Sequence, residues 1–524
     1  HGKHGKIGFF RVFREFRGHS FFFFFVFLRV LRGSGSLLPV FRARFWQERA
    51  LALFFELHTY PSMSNSTIFR AYDIRGIAGA ALTGETAHEI GRAIGSEAHH
   101  RGQRTLVVGR DGRLSGPALQ QALMEGILST GQDVIDIGLV ATPVLYFATH
   151  WLETGSGVMV TGSHNPAQYN GFKIVLDGKS LFGGAIRDLH TRIQEGRFVS
   201  GNGKLRQREI IREYIHHMGE GIQRSPQAPF TIVVDCGNGA AGNIAPALFR
   251  LLGHRVVEMY CDVDGNFPNH HPDPSQPENL QDLIEAVLAH GAGFGLAFDG
   301  DGDRLGVVDN KGNIIWPDRQ LMLFSRDLLS RHPGATIVFD AKCSRHLVAD
   351  IRENGGRPLM WKTGHSFIKD KMRETGALLA GEMSGHIFFK DRWYGFDDAL
   401  YAGARLTEIL MAANSSPDRI FATLPGGVST PELNIPLPEG QSALFMERLM
   451  GEDQSSGPFS GGEITTIDGF RIDYPDSWGL VRASNTTPSL VLRFEADDQA
   501  ALARVQEKFR GVLTRLEPGL EIPF

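Results

Sequence analysis

Between residues 105 and 390 the chain writes the same order three times: a short β-rich run, a helical stretch, a glycine and a second apolar run. The first copy is Thr105-Leu-Val-Val-Gly109, a helix from about Gly116 to Thr130, Gly131 and Val134-Ile-Asp-Ile137. The second is Thr231-Ile-Val-Val-Asp235, a helix from about Ile244 to Leu252, Gly253 and Val256-Val-Glu-Met259. The third is Ala335-Thr-Ile-Val-Phe-Asp340, a helix from about Arg345 to Asn354, Gly355 and Pro358-Leu-Met-Trp361. Strands alternating with helices of this length build βαβ units. The expected fold class is therefore α/β: three related domains with mixed, mostly parallel sheets. Each copy closes on an apolar strand that runs into a polar, glycine-rich loop: Thr161 to Pro166, Asp299 to Arg304 and Gly381 to His386. Ligands gather beyond the carboxyl ends of such strands, so the three loops are expected to face one central cleft.

The tail breaks the repeat. Gly469-Phe-Arg-Ile-Asp473, a turn at Pro475 to Trp478 and Gly479-Leu-Val-Arg482 predict a hairpin. The loop Ala483-Ser-Asn-Thr-Thr-Pro488, a strand at Ser489 to Glu495 and a helix from about Asp498 to Leu513 complete a C-terminal α+β domain. The proline- and glycine-rich stretch Pro425 to Pro438 is expected to be the linker into it. The resulting division is an extension over 1–62, α/β domains over 63–212, 213–314 and 315–425, and the α+β domain over 426–524.

The first 62 residues stand apart, with 14 of the 37 phenylalanines, ten Lys/Arg against three Glu, and no methionine before Met63. Their apolar run Phe21 to Leu28 is far short of the ~20 residues of a membrane span. No clean small-residue cleavage site follows it closely. The expectation is a gene-start artefact outside the native fold, with Met63 the natural start. Elsewhere, 42% hydrophobic and 21% charged residues describe an ordinary globular chain. A net charge of -4 leaves no global footprint for nucleic acid. Three cysteines without metal-ligand spacing fit a reducing cytoplasm.

The loops carry the chemistry. In Gly157-Val-Met-Val-Thr-Gly-Ser-His-Asn-Pro166 the strand ends in small turn-forming residues. Gly162 is expected to let the backbone turn, pushing Ser163 outward beside His164. Asp299, Asp301 and Asp303 alternate along a glycine-spaced turn, the hard oxygen donors that divalent cations prefer. An EF-hand is excluded, because its sixth position holds Arg304 and its twelfth Asn310. Three such carboxylates repel one another unless a cation intervenes, and Mg²⁺ fits best. Arg482, Ser484, Asn485, Thr486 and Thr487 offer a guanidinium fork and neutral donors for an anion. Glu382 and Ser384 suit sugar hydroxyls, and His386 titrates in the range of proton transfer. Tyr72 and Arg75 lie in a segment that is either an edge strand or cleft lining. A turn at Asn170-Gly171 would return Lys173 to the serine.

Gly237-Asn-Gly-Ala-Ala-Gly242 also matches the dinucleotide fingerprint, with Glu258 where a ribose-binding acid belongs. Because this turn belongs to one of three repeats, its glycines are expected to serve the shared turn instead.

A nucleophilic serine, a carboxylate metal site and a distant anion clamp point to phosphoryl transfer. Here the chain, from about Ser66 to its end, resembles the α-D-phosphohexomutases, most of all the bacterial phosphomannomutase/phosphoglucomutase group. The resemblance rests on Thr161-Gly-Ser-His-Asn-Pro166, Asp299-Gly-Asp-Gly-Asp-Arg304, Gly381-Glu-Met-Ser-Gly-His386 and Arg482-Ala-Ser-Asn-Thr-Thr-Pro488. It implies four domains round a cleft, Ser163 as phosphoserine, and Mg²⁺ held by Ser163, Asp299, Asp301 and Asp303. It further implies Glu382 and Ser384 on sugar hydroxyls and Arg482, Ser484, Asn485 and Thr486 on the substrate phosphate. Tyr72, His164 and Arg304 would line the cleft, and Arg75, Lys173, His365 and His386 would move protons or stabilise charge. The expected activity is an isomerase that converts mannose or glucose 1-phosphate to the 6-phosphate through a 1,6-bisphosphate that reorients. The expected protein is a cytoplasmic monomer without nucleic-acid or membrane partners. The rivals are a phosphoglucosamine mutase and a metal-dependent serine phosphatase.

Overall fold

The computed structural model describes residues 66–223, 229–438, 440–451, 457–484 and 487–524. The expectations for the 1–62 extension, for Asn485 and for Thr486 therefore lie outside the described residues.

Among the described residues, four sheets follow one another along the chain. The first contains β1 (Ile74–Ile77), β2 (Thr105–Arg110), β3 (Asp133–Leu139), β4 (Gly157–Val160), β5 (Tyr169–Leu176), β6 (Lys179–Ser180) and β7 (Leu205–Gln207). The second is β8 (Thr231–Asp235), β9 (Arg255–Met259), β10 (Phe294–Phe298) and β11 (Leu305–Asp309). The third is β12 (Thr336–Asp340), β13 (Arg357–Trp361), β14 (Leu379–Gly381) and β15 (Ile387–Phe389).

All three share one arrangement. The strand order is β3-β2-β4-β5 within the first sheet, then β9-β8-β10-β11 and β13-β12-β14-β15. In each, the first three strands run parallel and the last is antiparallel. The three glycine-rich loops each connect the third strand to that antiparallel fourth, so they occupy the same place in the topology.

The β-rich runs are continuous because both faces of these sheets are covered. Ile232 and Val234 face one core while Val233 faces another, and Ile337 and Phe339 oppose Val338 in the same way. The core containing Val107, Ile232 and Ile337 runs through all three sheets, which fixes the loops relative to one another.

The fourth sheet has its own core, centred on Phe470, Phe494 and Phe509. It contains β16 (Val428–Ser429), β17 (Leu433–Pro436), β18 (Glu463–Thr465), β19 (Phe470–Asp473), β20 (Ser477–Ala483) and β21 (Ser489–Ala496). The stretch expected as a linker is in part sheet, since β16 and β17 both pair antiparallel with β21. Pro436 sits at the end of β17, where a missing N–H is tolerated. No helix among the described residues is long and apolar enough to cross a membrane.

Candidate active site

Ser163 is 2% exposed and adopts φ 49°, the left-handed region. The turn therefore falls on the serine itself rather than on Gly162. Glycine is required at 162 for another reason, because a Cβ there would meet the Arg113 guanidinium at 2.4 Å. Arg113 roots the whole loop. It donates to the carbonyls of Ser163 and Asn165 at 2.6 Å, of Pro166 at 2.7 Å and of Tyr169 at 2.9 Å. Asp111 pairs with Arg113 at 3.2 Å and accepts from Thr161 Oγ1 at 2.7 Å. A buried guanidinium with a carboxylate partner and four carbonyl acceptors has its donors well used. Arg75 adds a second brace, donating to Gly162 O at 2.9 Å and Asn165 Oδ1 at 2.7 Å while pairing with Asp73. Its segment is both of the expected things, since β1 is an edge strand paired with β5 and Tyr72 lines the cleft.

The Ser163 hydroxyl lies 3.1 Å from Asp299 Oδ2 and 3.2 Å from His164 Nδ1. Burial, and then Arg304 and Arg75, push the His164 imidazole well below its usual range. Lys173 does not return through a turn at Asn170-Gly171, because both residues are inside β5. Antiparallel pairing sets Lys173 opposite Met159, and its ammonium reaches Asp301 Oδ2 at 2.7 Å and Asp303 Oδ2 at 2.5 Å.

Asp299, Asp301 and Asp303 are fully buried, with carboxylate oxygens within 4.8 Å of one another. Asp299 Oδ1 accepts the backbone N–H groups of Asp303 and Arg304 at 3.0 and 3.1 Å. Burial and the two neighbouring carboxylates push Asp299 well above the ordinary carboxylate range. Asp301 Oδ1 is buried without a hydrogen-bond partner among the described residues. These hard donors, two with an unsatisfied oxygen (Asp301 Oδ1 and Asp303 Oδ1) and one destabilised by repulsion, fit a divalent cation.

In the third loop, His386 Nδ1 lies 2.8 Å from Ser384 Oγ and 3.1 Å from Glu382 Oε2, while Nε2 lies 3.3 Å from Asp303 Oδ1. Burial opposes its charge, but the Asp303 and Glu382 carboxylates prevail and hold it up to about 9. His365 stacks on His386 with centroids 5.7 Å apart and lies 3.3 Å from Asp397 Oδ2. Burial, then Lys369, depress it. Two stacked imidazoles thus differ in charge preference.

Arg482 is 5% exposed and is held by Asp468 at 2.9 Å. A cavity of about 320 Å³ brings it together with Tyr72, His164, Arg304, His365, Glu382, Ser384, His386 and Ser484. A neighbouring cavity of about 230 Å³ holds Ser163, Arg75, Lys173 and Thr487. Tyr72, His164, Arg304, His365 and His386 line both. Every described candidate except the three buried aspartates lines one cavity or the other.

Several cleft groups were not anticipated. Lys342 pairs with Glu432 at 2.7 Å in the larger cavity, and Glu432 comes from the stretch read as a linker. The loop Asn269 to Gln276 braces the metal loop, with Pro272 O accepting from Gly300 N at 3.2 Å. Its His-His-Pro-Asp-Pro run was a readable signal. The glycines of 237–242 serve packing: a Cβ at Gly239 would lie 2.8 Å from Gly300 O, which accepts from Ala240 N at 3.0 Å. Glu258 pairs with Arg250.

Four family models match the chain in series. They are phosphoglucomutase/phosphomannomutase α/β/α domain I over residues 66–199, domain II over 212–312, domain III over 316–426 and the C-terminal domain over 432–512. The chain is 55% identical over 459 residues to the phosphomannomutase/phosphoglucomutase of Pseudomonas aeruginosa, covering 88% of this chain and 98% of that protein. It is 54% identical over 449 residues to a Neisseria meningitidis phosphoglucomutase, covering 85% and 96%. A crystal structure of a phosphoglucomutase/phosphomannomutase family protein from Burkholderia thailandensis matches with TM-score 0.83 and 51% identity, over 88% of this chain and all of the other. With four domain matches in order and more than half of the aligned residues shared with these relatives, the chain belongs to the phosphoglucomutase/phosphomannomutase family of α-D-phosphohexomutases.

Proposed function

We propose that the protein interconverts hexose 1-phosphates and 6-phosphates, of mannose and glucose, through phospho-Ser163 and a bound 1,6-bisphosphate. The observation that carries this reading is the meeting of loops from all four sheets round two cavities with five lining residues in common. One cavity holds the serine and the other holds the sugar- and phosphate-type groups.

A hydroxyl oxygen of the bound sugar phosphate attacks phosphorus, the Ser163 Oγ–P bond breaks, and the sugar keeps two phosphates. The bisphosphate turns end for end and returns its other phosphoryl group to Ser163. Arg482 and Ser484, with Asn485 and Thr486, grip the phosphate that is not reacting. Glu382 and Ser384 hold sugar hydroxyls. Lys173 stays cationic between Asp301 and Asp303 and stabilises developing charge. His386, held protonated, is placed to donate a proton, and the depressed His365 beside it to accept one. Arg75 shapes the serine loop and adds positive charge to its cavity. Ser163, Asp299, Asp301 and Asp303 would hold Mg²⁺, which when bound supplies neutralisation of phosphoryl charge. One chain provides every loop, so a monomer suffices, and three unpaired thiols suit the cytoplasm.

The test supplies mannose, glucose or glucosamine 1-phosphate with a trace of the matching bisphosphate and Mg²⁺. Formation of the 6-phosphate of mannose and glucose is expected. Release of inorganic phosphate instead would favour the phosphatase, and a preference for the glucosamine ester the phosphoglucosamine mutase.

A further inference from the structure

Among the five residues common to both cavities, Arg304 is the one with a permanent cation. Its guanidinium is suspended rather than bonded. Nε lies 4.0 Å from Asp299 Oδ2 and Nη1 lies 3.9 Å from Asp273 Oδ1, both beyond hydrogen-bonding distance. Nε is buried and has no hydrogen-bond partner among the described residues. A buried, unspent donor group between two carboxylates is costly unless another anion uses it.

The two carboxylates differ in kind. Asp299 belongs to the metal loop. Asp273 is a wall residue of the larger cavity and is 8% exposed. Its side chain is fixed from its own loop, because Oδ1 accepts from Ser275 N at 3.0 Å and Ser275 Oγ at 2.7 Å. Asn279 Nδ2 donates to the Asp273 carbonyl at 2.9 Å. The neighbouring Pro272 carbonyl accepts from Gly300 N, so this anchored carboxylate is tied to the metal loop. Without Asp273, Coulomb attraction would draw the guanidinium onto Asp299, spending an oxygen that the cation site needs.

Resting on the mutase reading above, we infer that Asp273 is a positioning residue that holds Arg304 off Asp299, at the boundary between Ser163 and the sugar cavity. From there the guanidinium can meet a phosphoryl oxygen on either side. Asp273 thereby serves both the cation site and retention of the doubly phosphorylated sugar.

The experiment compares wild type with Asp273→Asn, Asp273→Glu, Ser275→Ala, Arg304→Ala and the double variant Asp273→Asn/Arg304→Ala. Wild-type conversion of hexose 1-phosphate to 6-phosphate is measured first, and its absence would sink the mutase reading before this one is reached. Asp273→Asn is expected to lower kcat about tenfold with KM changed less than about threefold. It should also raise the fraction of turnovers that release bisphosphate, and weaken Mn²⁺ binding measured calorimetrically without substrate. Asp273→Glu should recover part of each. In the Arg304→Ala background, Asp273→Asn should cost less than about twofold more. The inference is overturned if Asp273→Asn matches wild type, or if its cost is undiminished in Arg304→Ala. It is equally overturned if Ser275→Ala, which loosens the loop but keeps the charge, reproduces the Asp273→Asn defects. Should Asp273→Asn fail to fold, Asp273→Glu in both backgrounds decides by the same criterion.

Discussion

The loop that carries Ser163 and the loop that follows Arg482, both proposed to meet a phosphate, are held differently. The serine loop hangs from buried Arg113 by four carbonyl contacts, with Asp111 and Arg75 adding more. In the second loop, Thr487 N and Oγ1 donate to Ser484 Oγ at 3.2 and 2.9 Å, and Ser484 N donates to Ser489 O at 2.9 Å. Its entrance is fixed by the Arg482–Asp468 pair, and Asp468 also accepts from Thr363 N at 3.0 Å across to the third α/β region. In the proposed reaction the serine loop is the end where bonds change, and its bracing suits the place where misplacement costs most rate. The Arg482 end would release and regrip the spectator phosphate.

The comparison breaks first at the serine. Ser163→Ala should reduce turnover by at least about 10⁴ while sugar-phosphate affinity by calorimetry stays within about threefold. Equal loss of both would mean that the two loops are not separable. Next comes the root: Arg113→Met leaves Asp111 buried and unpaired, so a stability loss of about 3–5 kcal/mol is expected in urea unfolding. Turnover at permissive temperature should drop about a hundredfold through misplacement of the loop. Arg482→Lys keeps the charge but loses the fork, and should raise KM about tenfold with little change in kcat or Tm.

The smallest effect separates the regions by pH. His386 is raised to about 9 in the folded chain, against an unfolded value of about 6.5. Its pairing with Asp303 and Glu382 is therefore fully present below pH ~6.5 and is lost as pH rises through about 9. In EDTA, wild-type Tm should fall by a few degrees across that window, and His386→Gln should flatten the fall. Arg482→Lys should retain the wild-type slope, since neither cation titrates there.

Topology was legible because the threefold repeat of β-rich run, helix and glycine is a local pattern, and both-face burial makes its strands read as unbroken Val and Ile. The motif residues were legible because their chemistry is unusual for their neighbourhood, as with Asp299, Asp301 and Asp303. Supporting residues were not. Arg113 and Asp111 look like any turn, and their role emerges only when β2 is set beside β4. Lys342 and Glu432 pair across 90 residues, and the strand character of β17 depends on its partner β21, not on its own proline-bearing sequence. The positive φ of Ser163 was likewise hidden, since glycine next door was the natural candidate for it.

Lys173 has a consequence for biogenesis. Its ammonium already sits on Asp301 and Asp303, so a newly made chain has an internal counter-ion for its most crowded acidic turn. On the proposed function, folding therefore need not wait for the divalent ion, because the chain carries its own cation between Asp301 and Asp303.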